Sequence, residues 1–83
     1  MVMREHQIPI DEIYIPMKRR QTLDAAKVDA LANDILENGM QNPIWLRRDA
    51  ERYVLVQGLH RLEACRTLGE RTIAAILVQA RQF

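Results

Sequence analysis

The residues best placed for chemistry lie in the stretch "VQGLHRL", where Gly58, His60 and Arg61 stand between an apolar run and what reads as the start of a helix. Unpaired N–H groups give a helix N-terminus partial positive charge, so each basic side chain in the first turn opposes folding by ~0.3 kcal/mol or more unless an anion joins it. Glycine lets the backbone turn sharply and a ligand come close, and the first-turn amides point outward together. With two basic side chains added, the junction becomes a cradle for phosphate, whose charge reverses the sign of the unfavourable term. The same residues also fit a strand–glycine–helix junction without a ligand, in which Arg61 pairs with Glu63 or Asp24 and His60 donates to a backbone carbonyl. Gly-His-Arg alone carries far less information than a full P-loop.

Other chemistries find less support. His6 and His60 are too few to propose a metal site. The single cysteine, Cys65, excludes an internal disulfide and a cysteine-based zinc site, and its helical spacing with Leu62 and Leu68 makes it a small buried thiol. No Ser-His-Asp reading follows from the spacing. An enzyme acting on phosphates needs a general base or an acid that holds a metal. Asp24, Asp34 and Glu63 are the carboxylates that fall near the junction, and none stands out, so no catalytic residue is assigned. Trp45, Tyr14 and Tyr53 have faces that could stack a base, although a tryptophan in a strand more commonly packs on the sheet.

The elements that must position these groups are short. "REHQIPI" reads as a first strand, with Pro9 confined to its end or to a sheet edge. "DEIYIP" follows as one helical turn ending before Pro16, and Lys18-Arg19-Arg20 as a solvated loop. "TLDAAKVDALANDILENGM" is the clearest helix: Val28, Leu31, Ala32 and Ile35, with Leu36 beside them, form one apolar stripe. Asp24 or Thr22 would cap its start and Gly39 its end. "NPIWLRR" and "YVLVQ", separated by the polar "DAE", read as a hairpin. A second helix spans roughly residues 59–68, with Leu62, Cys65 and Leu68 along one side, and stops at Gly69. "RTIAAILVQ", apolar almost throughout, closes the chain as a central strand. The order β, turn, α, β, β, α, β predicts an α+β fold with two helices packed on a small mixed sheet.

With 83 residues, one domain over residues 1–83 is expected, with a single modest core. The composition, 48% hydrophobic and 28% charged, is that of an ordinary globular chain. Lysines and arginines number 12 against 11 aspartates and glutamates, a net charge of +1, which argues against a surface that grips nucleic acid over its whole extent. Only Lys18-Arg19-Arg20 and Arg47-Arg48 are clustered. DNA binding on the order of 10⁻⁴–10⁻⁶ M, the non-specific range, is expected of such a chain. No apolar run approaches the roughly 18 residues that cross a bilayer, and the N-terminus lacks the apolar centre of a signal peptide, so a cytoplasmic location without membrane partners is expected.

The stretch "YVLVQGLHRLEACRTLGERTIAAILV" resembles the signature half of the ParB/sulfiredoxin superfamily, whose members carry a G-x-H-R or G-E-R-R box at a strand-to-helix junction, then a Leu-Gly turn and a closing apolar strand. "LDAAKVDALANDILENGMQNPIWL" is similar to that family's first helix and following strand. The resemblance runs from Leu23 to Val78 and implies the same fold, a bacterial setting and a nucleotide cofactor, ATP as in sulfiredoxins or CTP as in ParB proteins, with or without magnesium. By position it implies that Gly58, His60 and Arg61 contact phosphate. It adds Lys27, at the place of a first-helix lysine of sulfiredoxins, and one of Arg19 or Arg20, since the family's loop before that helix approaches the nucleotide. Glu63 is the acidic residue nearest the box.

Departures from the pattern narrow the chemistry. Leu59 stands where sulfiredoxins have their nucleophilic cysteine, which argues against sulfinic acid reduction. Leu59 and His60 replace the Glu and first Arg of the ParB box, which weakens the case for CTP and its hydrolysis. A nucleotide-binding ParB-like domain of a DNA partition or DNA-associated regulatory protein is the leading expectation. A small phosphotransferase or nucleotide hydrolase of the same fold, and a purely structural partner-binding domain, remain open beside it. Tight DNA recognition is expected to need parts beyond this domain, and self-association as a homodimer is left open.

Overall fold

The computed structural model describes residues 4–40 and 42–78. Strand β1 (Glu5–Pro9) leads through a 3-10 turn (Ile10–Glu12) into a two-residue strand β2 (Ile13–Tyr14). Helix α1 (Met17–Arg20) and helix α2 (Ala25–Asn38) follow. Strands β3 (Ile44–Asp49) and β4 (Arg52–Gln57) form the hairpin, helix α3 (Leu59–Thr67) crosses over, and β5 (Thr72–Val78) ends the described chain. The sheet is five-stranded and mixed, in the order β1-β5-β3-β4-β2. The pairs β1/β5 and β3/β4 are antiparallel, and β3/β5 and β2/β4 are parallel. This is the α+β class that the element pattern predicts.

One continuous apolar layer holds the sheet to α3. Ile44, Leu46, Leu55, Ile73 and Ala75 of the sheet pack with Leu59, Leu62 and Cys65 of the helix. Leu46, Leu62 and Ala75 are fully buried. The three isoleucines Ile10, Ile13 and Ile15 close the same core from the segment around β2. Helix α2 stacks mainly on α3, where Val28 and Ala32 meet Ala64 and small side chains let the two axes approach. The sheet therefore receives α3 directly and α2 largely through α3.

Several details depart from the expected pattern. The basic tripeptide is not a loop: Lys18-Arg19-Arg20 forms α1, so the described residues contain three helices rather than two. Pro16, extended at φ −57°, ψ 144°, stands at the N-cap of α1, and three cations in one short turn concealed that signal. The turn after β1 is helical only to Glu12, because Ile13 and Tyr14 find a partner in β4. Leu36 leaves the stripe of α2, with 73% of its surface exposed. Seen along the axis, the contact with α3 uses Val28, Leu31, Ala32 and Ile35, and Leu36 turns past its edge. β5 has neighbours on both sides, as its apolar run requires, but β3 takes the centre of the sheet. The last residue assigned to that strand, Gln79, lies outside the described residues. Pro9 ends an edge strand, where its missing N–H disrupts no ladder. Among the described residues no helix is long and apolar enough to cross a membrane.

This division between buried and exposed leucines has a measurable consequence. Leu62→Ala, which empties a fully enclosed site, is expected to cost about 2–5 kcal/mol in urea unfolding. Leu36→Lys, on the open side of α2, is expected to stay within about 0.5 kcal/mol of the parent protein. Equal costs for the two would contradict the packing described.

Candidate functional site

The strand-to-helix junction is built by Gly58. Its backbone is left-handed, with φ 110° and ψ 31°. A Cβ there would lie 2.6 Å from Cγ2 and 2.9 Å from Cβ of Ile44, which is buried in the core. The missing side chain thus serves the packing of β3 beneath the junction, and any ligand would meet Gly58 through its backbone. Among the described residues no side chain caps the first turn of α3, whose N-cap is Gly58. Leu59 turns inward at 7% exposure, which leaves the turn's amides flanked by His60 and Arg61, both half-buried.

A second helix start faces this one. Asp24, extended at φ −120°, caps α2 by accepting a hydrogen bond from the Ala26 amide to its Oδ1 at 3.0 Å. The Asp24 amide in turn donates to Nε2 of His60 at 3.0 Å. His60 therefore accepts from a backbone amide, among the described residues it donates to no carbonyl, and the bond it accepts ties the start of α2 to the start of α3. Thr22 is not the cap: its hydroxyl donates back to the Arg19 carbonyl at 2.7 Å and closes the end of α1.

Between the two helix starts and α1 lies a cleft of about 510 Å³, lined by Arg19, Thr22 and Lys27, by Ala30 and Leu31 of α2, and by Gly58 to Arg61 of α3. Four of the sequence-derived site residues, Gly58, His60, Arg61 and Lys27, come together there, and Arg19 joins them. Arg20 does not, since its Nε donates to the Ile15 carbonyl at 3.4 Å and holds α1 to the core segment. Glu63 does not line the cleft either; it lies 3.6 Å from Arg66 in an ion pair. Arg61 consequently lacks the Glu63 partner weighed from the sequence, and among the described residues no ion pair engages Arg61, Lys27 or Arg19. Lys27 and Arg61 each stand in the first turn of a helix, opposed to its dipole. No local sequence pattern marks Thr22, Ala30 and Leu31 as lining residues, because only the approach of α2 to α3 places them there.

None of the lining residues is a carboxylate. Asp24 is engaged as a cap, and among the described residues no three metal-ligating side chains gather. Trp45, Tyr14 and Tyr53 are also absent from the lining. The two tyrosines instead carry arginines on their rings, Arg52 at 4.1 Å from Tyr14 and Arg48 at 4.9 Å from Tyr53. Cys65 is buried, its thiol donates to Sδ of Met40 at 3.5 Å, and desolvation, then the charge of Glu70, push its pKa up. A thiol held in its neutral form is a poor nucleophile.

Replacing Gly58 tests the junction itself. Gly58→Ala combines a left-handed backbone with a clash against Ile44, and about 2–5 kcal/mol of destabilisation is expected in chemical denaturation without any ligand. An unchanged midpoint would mean that the junction tolerates a side chain and that its glycine has another reason.

Comparison with known proteins agrees with this architecture. The family model of the ParB N-terminal domain matches residues 2–82. The chain is 35% identical over 71 residues to a probable chromosome-partitioning protein ParB of Campylobacter jejuni, covering 84% of this chain and 26% of that protein. It is also 35% identical over 74 residues to a nucleoid occlusion protein of Halalkalibacterium halodurans, covering 87% and 26%. The chain thus spans about a quarter of the length of the curated relatives it matches. Among solved structures, sulfiredoxin of Arabidopsis thaliana superposes with a TM-score of 0.83 at 30% identity, over 93% of this chain and 86% of that one. The C-terminally truncated chromosome-partitioning protein ParB of Caulobacter crescentus, complexed with CTP-gamma-S, superposes with a TM-score of 0.80 at 24% identity, over 95% and 46%. The chain belongs to the ParB N-terminal domain family, within the ParB/sulfiredoxin superfamily.

Proposed function

We propose that this chain binds a nucleoside triphosphate, CTP or ATP, with its phosphates in the cleft between the starts of α2 and α3. The observation that carries the reading is the convergence of Arg19, Lys27 and Arg61 on an uncapped helix start, with no carboxylate in the lining to neutralise them. Three cations in one small cleft, within a chain of net charge +1, raise the free energy of the empty site. A polyphosphate relieves that repulsion and accepts hydrogen bonds from the first-turn amides of α3.

In this reading Arg61 and the amides beside Gly58 hold one phosphate, and Lys27 and Arg19 reach the others from the opposite wall. Ala30 and Leu31 give the cleft an apolar side, suited to the less polar part of a nucleotide. A divalent cation accompanying the triphosphate would be held by phosphate oxygens and water. With Leu59 buried beside the box and Cys65 neutral in the core, the residues present are suited to binding and not to thiol chemistry. Relatives named for chromosome partitioning and nucleoid occlusion support placing such a module in a protein of DNA partition or DNA-associated regulation, with the duplex held chiefly by parts beyond this chain.

Calorimetric titration of CTP, ATP, GTP and ADP, with and without magnesium, tests the reading. At least one nucleotide is expected to bind, and Arg61→Ala to weaken it by about 1.5–3 kcal/mol, the range of a charge-assisted hydrogen bond. Unchanged affinity in Arg61→Ala would move the site elsewhere, and an absence of binding for every nucleotide would overturn the reading.

A further inference from the structure

We infer that His60 is a positioning residue that clamps the α1–α2 connection over the cleft, using Nε2 for the clamp and leaving Nδ1–H as its only hydrogen-bond donor. The inference rests on the nucleotide reading above for its purpose, but not for its geometry. Nε2 accepts the Asp24 amide at 3.0 Å across a separation of 36 positions in the chain. An imidazole nitrogen that accepts from N–H carries a lone pair, so the ring is neutral and its proton sits on Nδ1.

The clamp acts on the neighbours of Asp24. Asp24 also caps α2 through Oδ1, which fixes the first turn that carries Lys27. On the other side, the Thr22 hydroxyl binds the Arg19 carbonyl and ties α1 to the same connection. One acceptor atom on α3 therefore anchors, through the segment Thr22 to Asp24, both basic groups of the opposite wall. Arg61, adjacent to His60 on α3, needs no such link. The two cationic sides of the cleft are registered against one another through this bond, which sets the spacing that a polyphosphate would meet. A basic residue at this position has two roles that compete for its nitrogens. If Nε2 is committed to Asp24, a phosphate can be offered Nδ1–H alone.

The ring's protonation can be read directly. Long-range proton–nitrogen correlation on the ¹⁵N-labelled chain, without nucleotide, is expected to show His60 protonated at Nδ1 with a lone-pair Nε2. A ring protonated at Nε2 overturns the inference. Hydrogen exchange supplies a second measurement: His60→Ala should lower the protection of the Asp24 amide by about two- to twelvefold, as loss of one neutral hydrogen bond implies. His60→Gln, whose carboxamide oxygen can accept at similar reach, should restore most of it. Equal protection in parent and His60→Ala contradicts the clamp. With CTP and ATP as probes, His60→Gln should bind more tightly than His60→Ala; the reverse order contradicts the clamp. Binding of neither nucleotide by the parent protein would overturn the nucleotide reading, while the tautomer and exchange results judge the clamp separately.

Discussion

The close packing of Ile44 against the position where Gly58 would carry a side chain fixes where everything else in the site can lie. Strand β3 passes beneath the end of β4, and the contact leaves no room for a Cβ at the turn. The left-handed backbone at Gly58 then sends the chain straight into α3, with Leu59 inward and His60 and Arg61 toward the opposing helix start. Because α3 lies on the sheet and α2 lies on α3, the position of that first turn also determines where α2 begins. A glycine that the sequence presents as an opening for a ligand is, in the structure, first a condition of core packing.

On that base, two helix starts of like polarity are brought face to face. Such an arrangement is unfavourable in electrostatic terms, since each N-terminus and its basic residue repel the other pair. The fold offsets the repulsion by apolar contact between Val28, Ala32 and Ala64 and by the hydrogen bond from Asp24 to His60. Residues that disfavour the isolated fold while converging on one cleft are the mark expected of a site kept for an anion. Burying the thiol of Cys65 and the side chain of Leu59 in the same helix takes the other reactive option out of the site.

Much of the fold was legible because its helices and strands follow simple periods. The 3.6-residue stripe of α2, the two apolar runs around "DAE" and the near-continuous run of β5 each correspond to an element found in the structure. Gly58, His60, Arg61 and Lys27 were legible as a group through their unfavourable placement at helix starts and through the family resemblance. What escaped depends on tertiary approach. The exposure of Leu36, the lining residues Thr22, Ala30 and Leu31, and the capture of His60 by an amide 36 positions away follow from how α2 meets α3, which no local pattern encodes. α1 is not legible in the sequence, because four residues carry no period and three of them are basic. The family resemblance points to Arg20 and nearness to the box points to Glu63, whereas the structure gives each a local partner, Ile15 and Arg66.

The central claim is that one cleft between two helix starts takes the phosphates of a nucleotide. Backbone amide chemical-shift mapping tests it most directly, by titrating CTP, ATP and inorganic triphosphate separately into the ¹⁵N-labelled chain. The account predicts that the largest shifts with a nucleotide fall on Leu59 to Arg61, on Thr22 to Lys27 and on Arg19, and that inorganic triphosphate reproduces those at the start of α3. Shifts concentrated instead on the β3–β4 hairpin around Arg47, Arg48 and Arg52, with the start of α3 unmoved, would contradict it.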